Sequence, residues 1–566
     1  MEEAPAPDRG EWLLPAKVNY GRIQVTPRTK QAREAMAVDR QTEATSPLQK
    51  WLATQGFHNG QNPFATVEAE RETGLKTYFI RPPFFDQIVG SAGDPRTSFV
   101  FATRGAGKTA CRLMIQRECL PNDLSADILA VPYTDFSWLE QLTEPVSLHH
   151  HLEQILRAGL AAIWATIVRK PTLFHDMPDE QRALLRGLVQ LYHPALLAPY
   201  QVLRRLRALG ALPQDKQVDI SAIEQAIQHG QLRETLQPLQ PRNVPPDSQA
   251  GVWLAFVDTA PLTPSTTDAT HLLCNELAEL AWAVGARAVY VLFDGVDEHH
   301  LTAENPDFLT KVLTPLTREL RVLHRHERDM PSDERAGLAF KFFLPQVLYS
   351  PFRDQHLFRT DLISSWRIKW SDAGLMSLLK ARLQAFSASK IQNLDQLADP
   401  ESKGKLDQWL VERAYGSPRN LLKLGHLLLE RHCRQNPDPE SELNYRLLTE
   451  VEKEFEERFG RLVPPLRVDE AHHRVFIGEN EVEGLTAREF DFLNCLYQTP
   501  GVFRSRQEIY EAIYPQEKFV GDEAIDSLVS RLRKKIERNP RRSAFLRTKR
   551  GGGYALFHTQ HETRNT

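Results

Sequence analysis

The sequence predicts an α/β core with a parallel sheet, a long helical insertion and a helical lid, followed by a small module of three helices and a strand pair. Three stretches carry that expectation. Ser98-Phe-Val-Phe-Ala102 is an apolar run that ends in a glycine-bearing turn and then opens an amphipathic segment at Lys108-Thr109. Ala288-Val-Tyr-Val-Leu-Phe293 is a second apolar run, ending in Asp294-Gly-Val-Asp297-Glu298. From Gly484 onward, two capped helices and a basic helix lead to a glycine-rich basic turn between two strand fragments. Runs of this length without polar alternation fit strands covered on both faces.

The first stretch reads strand, loop, helix. Thr103-Arg104-Gly105-Ala106-Gly107-Lys108-Thr109 matches G-x-x-x-x-G-K-[ST] except that Ala102 stands at the first glycine. Backbone N–H groups of such a loop and the helix N-terminus converge on phosphate oxygens. Lys108 is expected at the β/γ-phosphates and the Thr109 hydroxyl on Mg²⁺. Gly105 and Gly107 leave room for close approach of the backbone, with Arg104 and Ala106 between and beside them. The second stretch supplies carboxylates at a strand tip. Asp294 is the expected second Mg²⁺ ligand, from a strand beside the first, and Asp297 or Glu298 is placed to orient or deprotonate an attacking water.

The two motifs together resemble the STAND branch of the AAA+-related P-loop ATPases, over roughly residues 76–455. That resemblance implies a P-loop NTPase sheet with ATP and Mg²⁺ as cofactors, and no Asn-Lys-x-Asp motif that would read guanine is present. It implies an ATPase activity as well. Tyr415-Gly-Ser-Pro-Arg-Asn-Leu-Leu422 resembles the sensor-2 region of AAA+-type lids, which would bring Arg419 to the nucleotide's phosphates. Ser417 and Pro418 also form an ordinary helix start there.

At 566 residues the chain exceeds one core, so two to four domains are expected. The net charge of −3 means that any basic surface is local rather than global. Five scattered cysteines without a C-x-x-C read as reduced core thiols of a cytoplasmic protein, not as a zinc site. No apolar run is long enough for a membrane span, and the N-terminal residues lack a signal-peptide pattern.

In chain order, residues 1–75 read as a flexible arm with one short helix anchored by Trp51 and Leu52. The ATPase core covers 76–365. Its second strand is expected at Ala126–Val131, and its helical insertion at about 135–285, with helices at His149–Val168, Glu180–Tyr192 and Gln201–Leu209. His149-His150-His151 read as a solvated helix start, since consecutive residues point to different sides of a helix. Gly337–Leu344 is the next strand. Just past its tip, Arg353 is the candidate arginine finger; Arg359 fits surface solubility better. The lid covers 366–455, with helices at Ser371–Phe386 and Trp409–Cys433.

Residues 462–560 form the last domain. Thr486 with Glu489 and Ser505 with Glu508 make capping boxes. The helix Asp522–Arg538 presents Ile525, Leu528, Leu532 and Ile536 to a core and Glu523, Ser527, Arg531 and Lys534 on another face. Helix, helix, basic helix and β-wing make a winged helix-turn-helix, and the sequence resembles the OmpR/PhoB-type effector domain. Leu485–Phe490, Ser530–Lys535 and Arg547–Tyr554 carry the likeness. Ser527, Arg531 and Lys534 are expected in the major groove of double-stranded DNA. Arg533, Lys535, Thr548, Lys549 and Arg550 are expected at phosphates or in the minor groove. Glu523 at the start of the basic helix repels phosphate but can accept from cytosine N4.

The combination predicts an ATP-dependent DNA-binding regulator that assembles as a homo-oligomer when nucleotide is bound. A STAND-type conflict ATPase with the winged helix as DNA or protein adaptor is the alternative, although no repeat of solenoid period is visible. A winged helix used only for protein contacts is a third reading.

Overall fold

The computed structural model describes residues 46–119, 127–213, 218–237, 244–264, 266–303, 305–328, 335–354, 363–515, 522–540, 543–549 and 551–557. These divide into two compact units. Residues 81–101 and 108–367 form one; residues 46–80, 102–107 and 368–557 form the other.

The first unit is built on a five-stranded sheet of β1 (Ser98–Ala102), β2 (Ile128–Tyr133), β3 (Ala288–Phe293), β4 (Gly337–Pro345) and β5 (Ser364–Arg367), in the order β2-β3-β4-β1-β5. β2 pairs with β3, β3 with β4, and β1 with β5, all in parallel. Every residue of β1 and β3 is buried, as expected of strands covered on both faces. Aromatic stacking ties the sheet together, Phe99 lying 4.7 Å from Phe342 between ring centroids.

The topology corrects one expectation. The strand carrying Asp294 is not beside the loop-bearing strand, because β4 lies between them. Sequence order gives no neighbour order, and the crossover from β3 to β4 fills the gap next to β1. β5, Ser-Ser-Trp-Arg, is a short edge strand that its polar composition concealed.

Between β2 and β3 the chain is helical, with Leu148–Arg169, Asp179–Tyr192, Pro199–Ala208, Ile220–His229 and Gln249–Asp258 sharing one apolar core with the sheet. The histidine run differs from expectation. His151 is fully buried, 2.9 Å from the Tyr133 hydroxyl and 2.8 Å from the Val312 carbonyl. Burial, the larger influence, pulls its pKa down to about 4, so it is a neutral core residue. His150 completes a capping box with Ser147 at the helix start.

In the second unit, Pro47–Thr54, Asp372–Phe386, Leu406–Arg413, Pro418–Gln435 and Leu448–Phe459 enclose a single core. Trp51, Leu52, Phe57 and Phe64 are buried in it, and the Trp51 indole N–H donates to the Ser441 carbonyl at 2.8 Å. Arg382 joins Glu72 at 2.7 Å, both buried. A domain division at residue 75 therefore does not follow the packing: residues 47–78 share the core of the helices expected at 366–455. One short helix cannot bury its own apolar face, and here the Pro418–Gln435 helix covers it, with Gly425 leaving room for Phe64. Trp51→Ala is expected to destabilise this unit by roughly 3–5 kcal/mol. A denaturant titration reading helical signal checks it, and an unchanged midpoint would count against this packing.

The last hundred residues of the second unit have a core of their own. β6 (Leu466–Asp469), β7 (Arg474–Ile477) and β8 (Asn480–Glu481) form an antiparallel sheet, followed by helices Ala487–Tyr497, Arg506–Ile513 and Asp522–Ile536. β9 (Leu546–Lys549) and β10 (Gly553–Leu556) close as an antiparallel hairpin. Both capping boxes are present, Thr486 with Glu489 and Ser505 with Glu508.

Candidate functional site

In the first unit, β1 leads by way of residues 103–107 into helix α1 (Lys108–Glu118), whose first residues are Lys108 and Thr109. Lys108 is 8% exposed, and its Nζ lies 2.8 Å from Asp297 Oδ2. Arg112, one turn along, donates from Nε to Asp294 Oδ2 at 3.0 Å and from Nη1 to Gln116 Oε1 at 3.2 Å. These pairs bring the carboxyl ends of β1 and β3 to one edge, although the strands are not neighbours. Gly295, at φ +83°, lets the chain turn between Asp294 and the short Val296–Glu298 turn.

Two oxygens stand out. Asp294 Oδ1 and Asp297 Oδ1 are buried and have no hydrogen-bond partner among the described residues. A desolvated carboxylate oxygen without a partner is costly, so each of the two fits a further cation or donor. Glu298 is exposed and Thr109 half-buried. Arg353 sits on the helix Tyr349–Asp354, 3.2 Å from Asp354 and with its guanidinium 5.8 Å above the Tyr349 ring. Arg359 and Arg550 lie outside the described residues.

The loop residues 102–107 pack within the second unit. Gly105 and Gly107 have φ of +82° and +98°. A Cβ on Gly105 would lie 2.8 Å from the Arg419 Cβ, so glycine is required there on two counts. Arg419 N–H donates to the Gly105 carbonyl at 3.3 Å, and the Trp370 indole donates to the Ala106 carbonyl at 2.8 Å. Lys423 follows Arg419 by one helical turn. Burial, then the charges of Arg419 and Arg104, hold its pKa below the usual lysine value. Three cations therefore converge at this loop, which suits an anion. Sequence reading missed Arg112, Trp370 and Lys423; the i, i+4 spacing of Arg419 and Lys423 was the one available signal.

On the C-terminal domain, helix α2 (Asp522–Ile536) buries Ile525, Leu528, Val529, Leu532 and Ile536 and exposes Glu523, Ser527, Ser530, Arg531 and Lys534. Arg531 donates to the Ser527 hydroxyl at 3.2 Å. Two basic residues are engaged otherwise than expected. Lys535 Nζ lies 2.6 Å from Glu489 Oε2 and 2.5 Å from the Gly484 carbonyl. Burial pushes the 1%-exposed Glu489 carboxyl up, but hydrogen bonds from Lys535 and Thr486 outweigh it and leave its pKa below the carboxylate norm. Arg533 Nη2 lies 2.8 Å from both the Leu546 carbonyl and the Thr548 hydroxyl, pinning α2 to the hairpin. Both cations hold the domain together because their stems reach inward from a helix only four turns long. Lys549 stays exposed at the hairpin, its Nζ 5.8 Å from the Phe503 ring centroid. Asp526 accepts from Arg506 at 2.7 Å and from the Tyr554 hydroxyl at 2.6 Å, fixing α2 on the preceding helix.

Helix, helix, basic helix and hairpin define this part as an OmpR/PhoB-type winged helix of the DNA-binding kind found in transcription regulators, and residues 480–556 match the family model "Transcriptional regulatory protein, C terminal". Similar curated proteins include the regulatory protein VirG of Agrobacterium fabrum, 36% identical over 81 residues, 14% of this chain and 32% of that protein. The master transcriptional regulator RpaA of Synechocystis is 39% identical over 72 residues, 13% of this chain and 30% of that protein. The chain thus spans about a third of the length of these relatives. Among solved structures, the C-terminal DNA-binding domain of RstA from Klebsiella pneumoniae is 27% identical, with 16% of this chain and 84% of that one covered and a TM-score of 0.15. The Aeropyrum pernix ORC1 protein in complex with DNA is 12% identical, covering 88% of this chain and 95% of that one, with a TM-score of 0.31. Among the described residues, no helix is long and apolar enough to cross a membrane.

Proposed function

We propose that this protein is an ATP-switched DNA-binding regulator, in which nucleotide at the Lys108 loop governs assembly and DNA binding by the C-terminal winged helix. The observation that carries the nucleotide half is the Lys108–Asp297 and Arg112–Asp294 pairing with its two unpartnered carboxylate oxygens. Thr109 and Asp294 would hold Mg²⁺, which when bound neutralises phosphate charge. Lys108 exchanges Asp297 for phosphate oxygens, and Asp297, released, is free to orient water together with the exposed Glu298. Arg112 keeps the Asp294 carboxylate fixed in its buried position throughout.

Contacts within the second unit support the switch. Trp370 and Arg419 hold the loop carbonyls of Ala106 and Gly105. Asp372, two residues beyond Trp370, pairs with Arg538, just past the end of α2. Arg538 also donates to the Val411 carbonyl at 3.1 Å and lies 5.7 Å from the centroid of the Tyr415 ring. Tyr415 packs against both apolar cores of this unit and has a φ of +48°, strained for a bulky side chain. Loop, lid and recognition helix are therefore linked through a few bonded residues. A shift of Trp370 or Arg419 on nucleotide binding has a short route to α2.

Arg538→Ala tests the switch. The expected outcome is nearly unchanged ATP affinity and unchanged DNA affinity without nucleotide, with the ATP-dependent increment in DNA binding reduced by at least fivefold. Fluorescence anisotropy on a labelled duplex, with and without ATP, reads both. An increment equal to the parent's would remove Arg538 from the route. Size measurement with ATP and duplex DNA, separately and together, tests assembly.

A further inference from the structure

We infer a second cation site, for a divalent transition ion such as Zn²⁺, formed by Glu140, His299 and His300 at the carboxyl ends of β2 and β3. The two strands are paired through to their last residues, Tyr133 opposite Phe293, so the segments that follow them emerge side by side. Glu140 lies on the short turn Ser137–Gln141 after β2; His299 and His300 follow directly on the acidic turn Val296–Glu298 after β3. Glu140 Oε1 is 3.4 Å from His299 Nε2 and 3.6 Å from His300 Nδ1. All three donor atoms lie within 4.8 Å of one another.

Those separations are informative. A tetrahedral zinc with bonds of about 2.0–2.1 Å places its donors roughly 3.4 Å apart, whereas a direct hydrogen bond between imidazole and carboxylate would be about half an ångström shorter. The two separations from Glu140 are thus those of ligands around a common centre, and the two imidazole nitrogens lie within 4.8 Å of each other. His299 Nε2 is moreover buried without a hydrogen-bond partner, and its side chain is only 12% exposed. Two imidazoles and one carboxylate suit zinc and its neighbours rather than Mg²⁺, which prefers oxygen. Three protein ligands leave a position for water, on the side where Glu140 and His300 are open to solvent.

One contact opposes binding. The Leu301 N–H faces His299 Nδ1 at 3.4 Å, and coordination through Nε2 puts the imidazole proton on Nδ1, so this long contact must open. The site is accordingly weaker than a closed structural zinc centre. An ion there would fasten the turn after β2 to the segment adjoining Glu298.

The test uses the full chain without a histidine tag, stripped with chelator and titrated with ZnCl₂ by calorimetry, then with Co²⁺ by visible absorption. The parent is expected to take up one zinc at this site, with a Co²⁺ spectrum of low-symmetry nitrogen–oxygen coordination and a zinc-dependent rise in Tm. His299→Ala and Glu140→Ala are each expected to weaken uptake at least tenfold, and the His299→Ala/His300→Ala pair to abolish it. Lys108→Ala is expected to take up zinc as the parent does, which separates this site from the nucleotide reading. A parent that binds no zinc, or a double-histidine variant that binds it like the parent, would overturn the inference.

Discussion

Lys108→Ala is expected to weaken ATP binding by about 30- to 1000-fold, equivalent to roughly 2–4 kcal/mol, and to abolish the nucleotide-dependent part of DNA binding. Lys108 is nearly buried and its described partner is the single carboxylate of Asp297, so its charge is held in a low-dielectric setting with a replaceable counter-ion. A triphosphate offers the same ammonium several oxygens. Removing the lysine takes away this interaction and also leaves Asp297 without its cation. Filter binding with labelled ATP gives the affinity, and thermal unfolding shows whether the variant folds. Asp294→Asn makes a weaker test of the same site. It leaves the 3%-exposed Arg112 without its carboxylate, and breaking a buried pair costs about 3–5 kcal/mol of stability. A Lys108→Ala protein that folds, yet retains ATP and responds to it like the parent, would overturn the nucleotide reading.

The Arg531→Ala/Lys534→Ala variant is expected to lose duplex affinity by about 2–4 kcal/mol and to lower the slope of log K against log salt by nearly two. Both side chains are exposed on α2; Arg531 stays 58% exposed although its Nε lies 3.7 Å from Glu489 Oε1. Lys535→Ala provides the contrast. Its ammonium is bonded to Glu489 and Gly484 within the fold, so its loss is expected to lower stability by about 1–3 kcal/mol while leaving the salt slope unchanged. Measuring affinity between low and moderate salt for both variants separates the roles. Equal salt slopes for the double variant and the parent would move the DNA surface off this face.

Local chemistry made much of the molecule legible. Unbroken apolar runs gave β1 and β3, because a strand covered on both faces has no polar positions to alternate. Thr486–Glu489 and Ser505–Glu508 are close in sequence, and both capping boxes formed where that spacing predicts. Gly105 could be placed in a tight loop from its neighbours alone, although the Arg419 side chain that requires a glycine there could not. His151 illustrates the other side: three adjacent histidines look alike in sequence, and only the position of Tyr133 and Val312 makes one of them a core residue.

By itself the sequence determined the apolar strands and the long amphipathic helices, where the glycine loop and the acidic turn fall, and that the C-terminal part is a winged helix. Those properties depend on neighbours within a turn or two of chain. The tertiary structure decided that β4 separates the two motif strands, that residues 47–78 complete the helical core, and that Arg533 and Lys535 bind their own domain. It alone paired Arg112 with Asp294 and Arg538 with Asp372. Most of these join residues far apart in the chain, and such pairings are selected by shared burial and charge neutralisation in three dimensions, which no local pattern encodes.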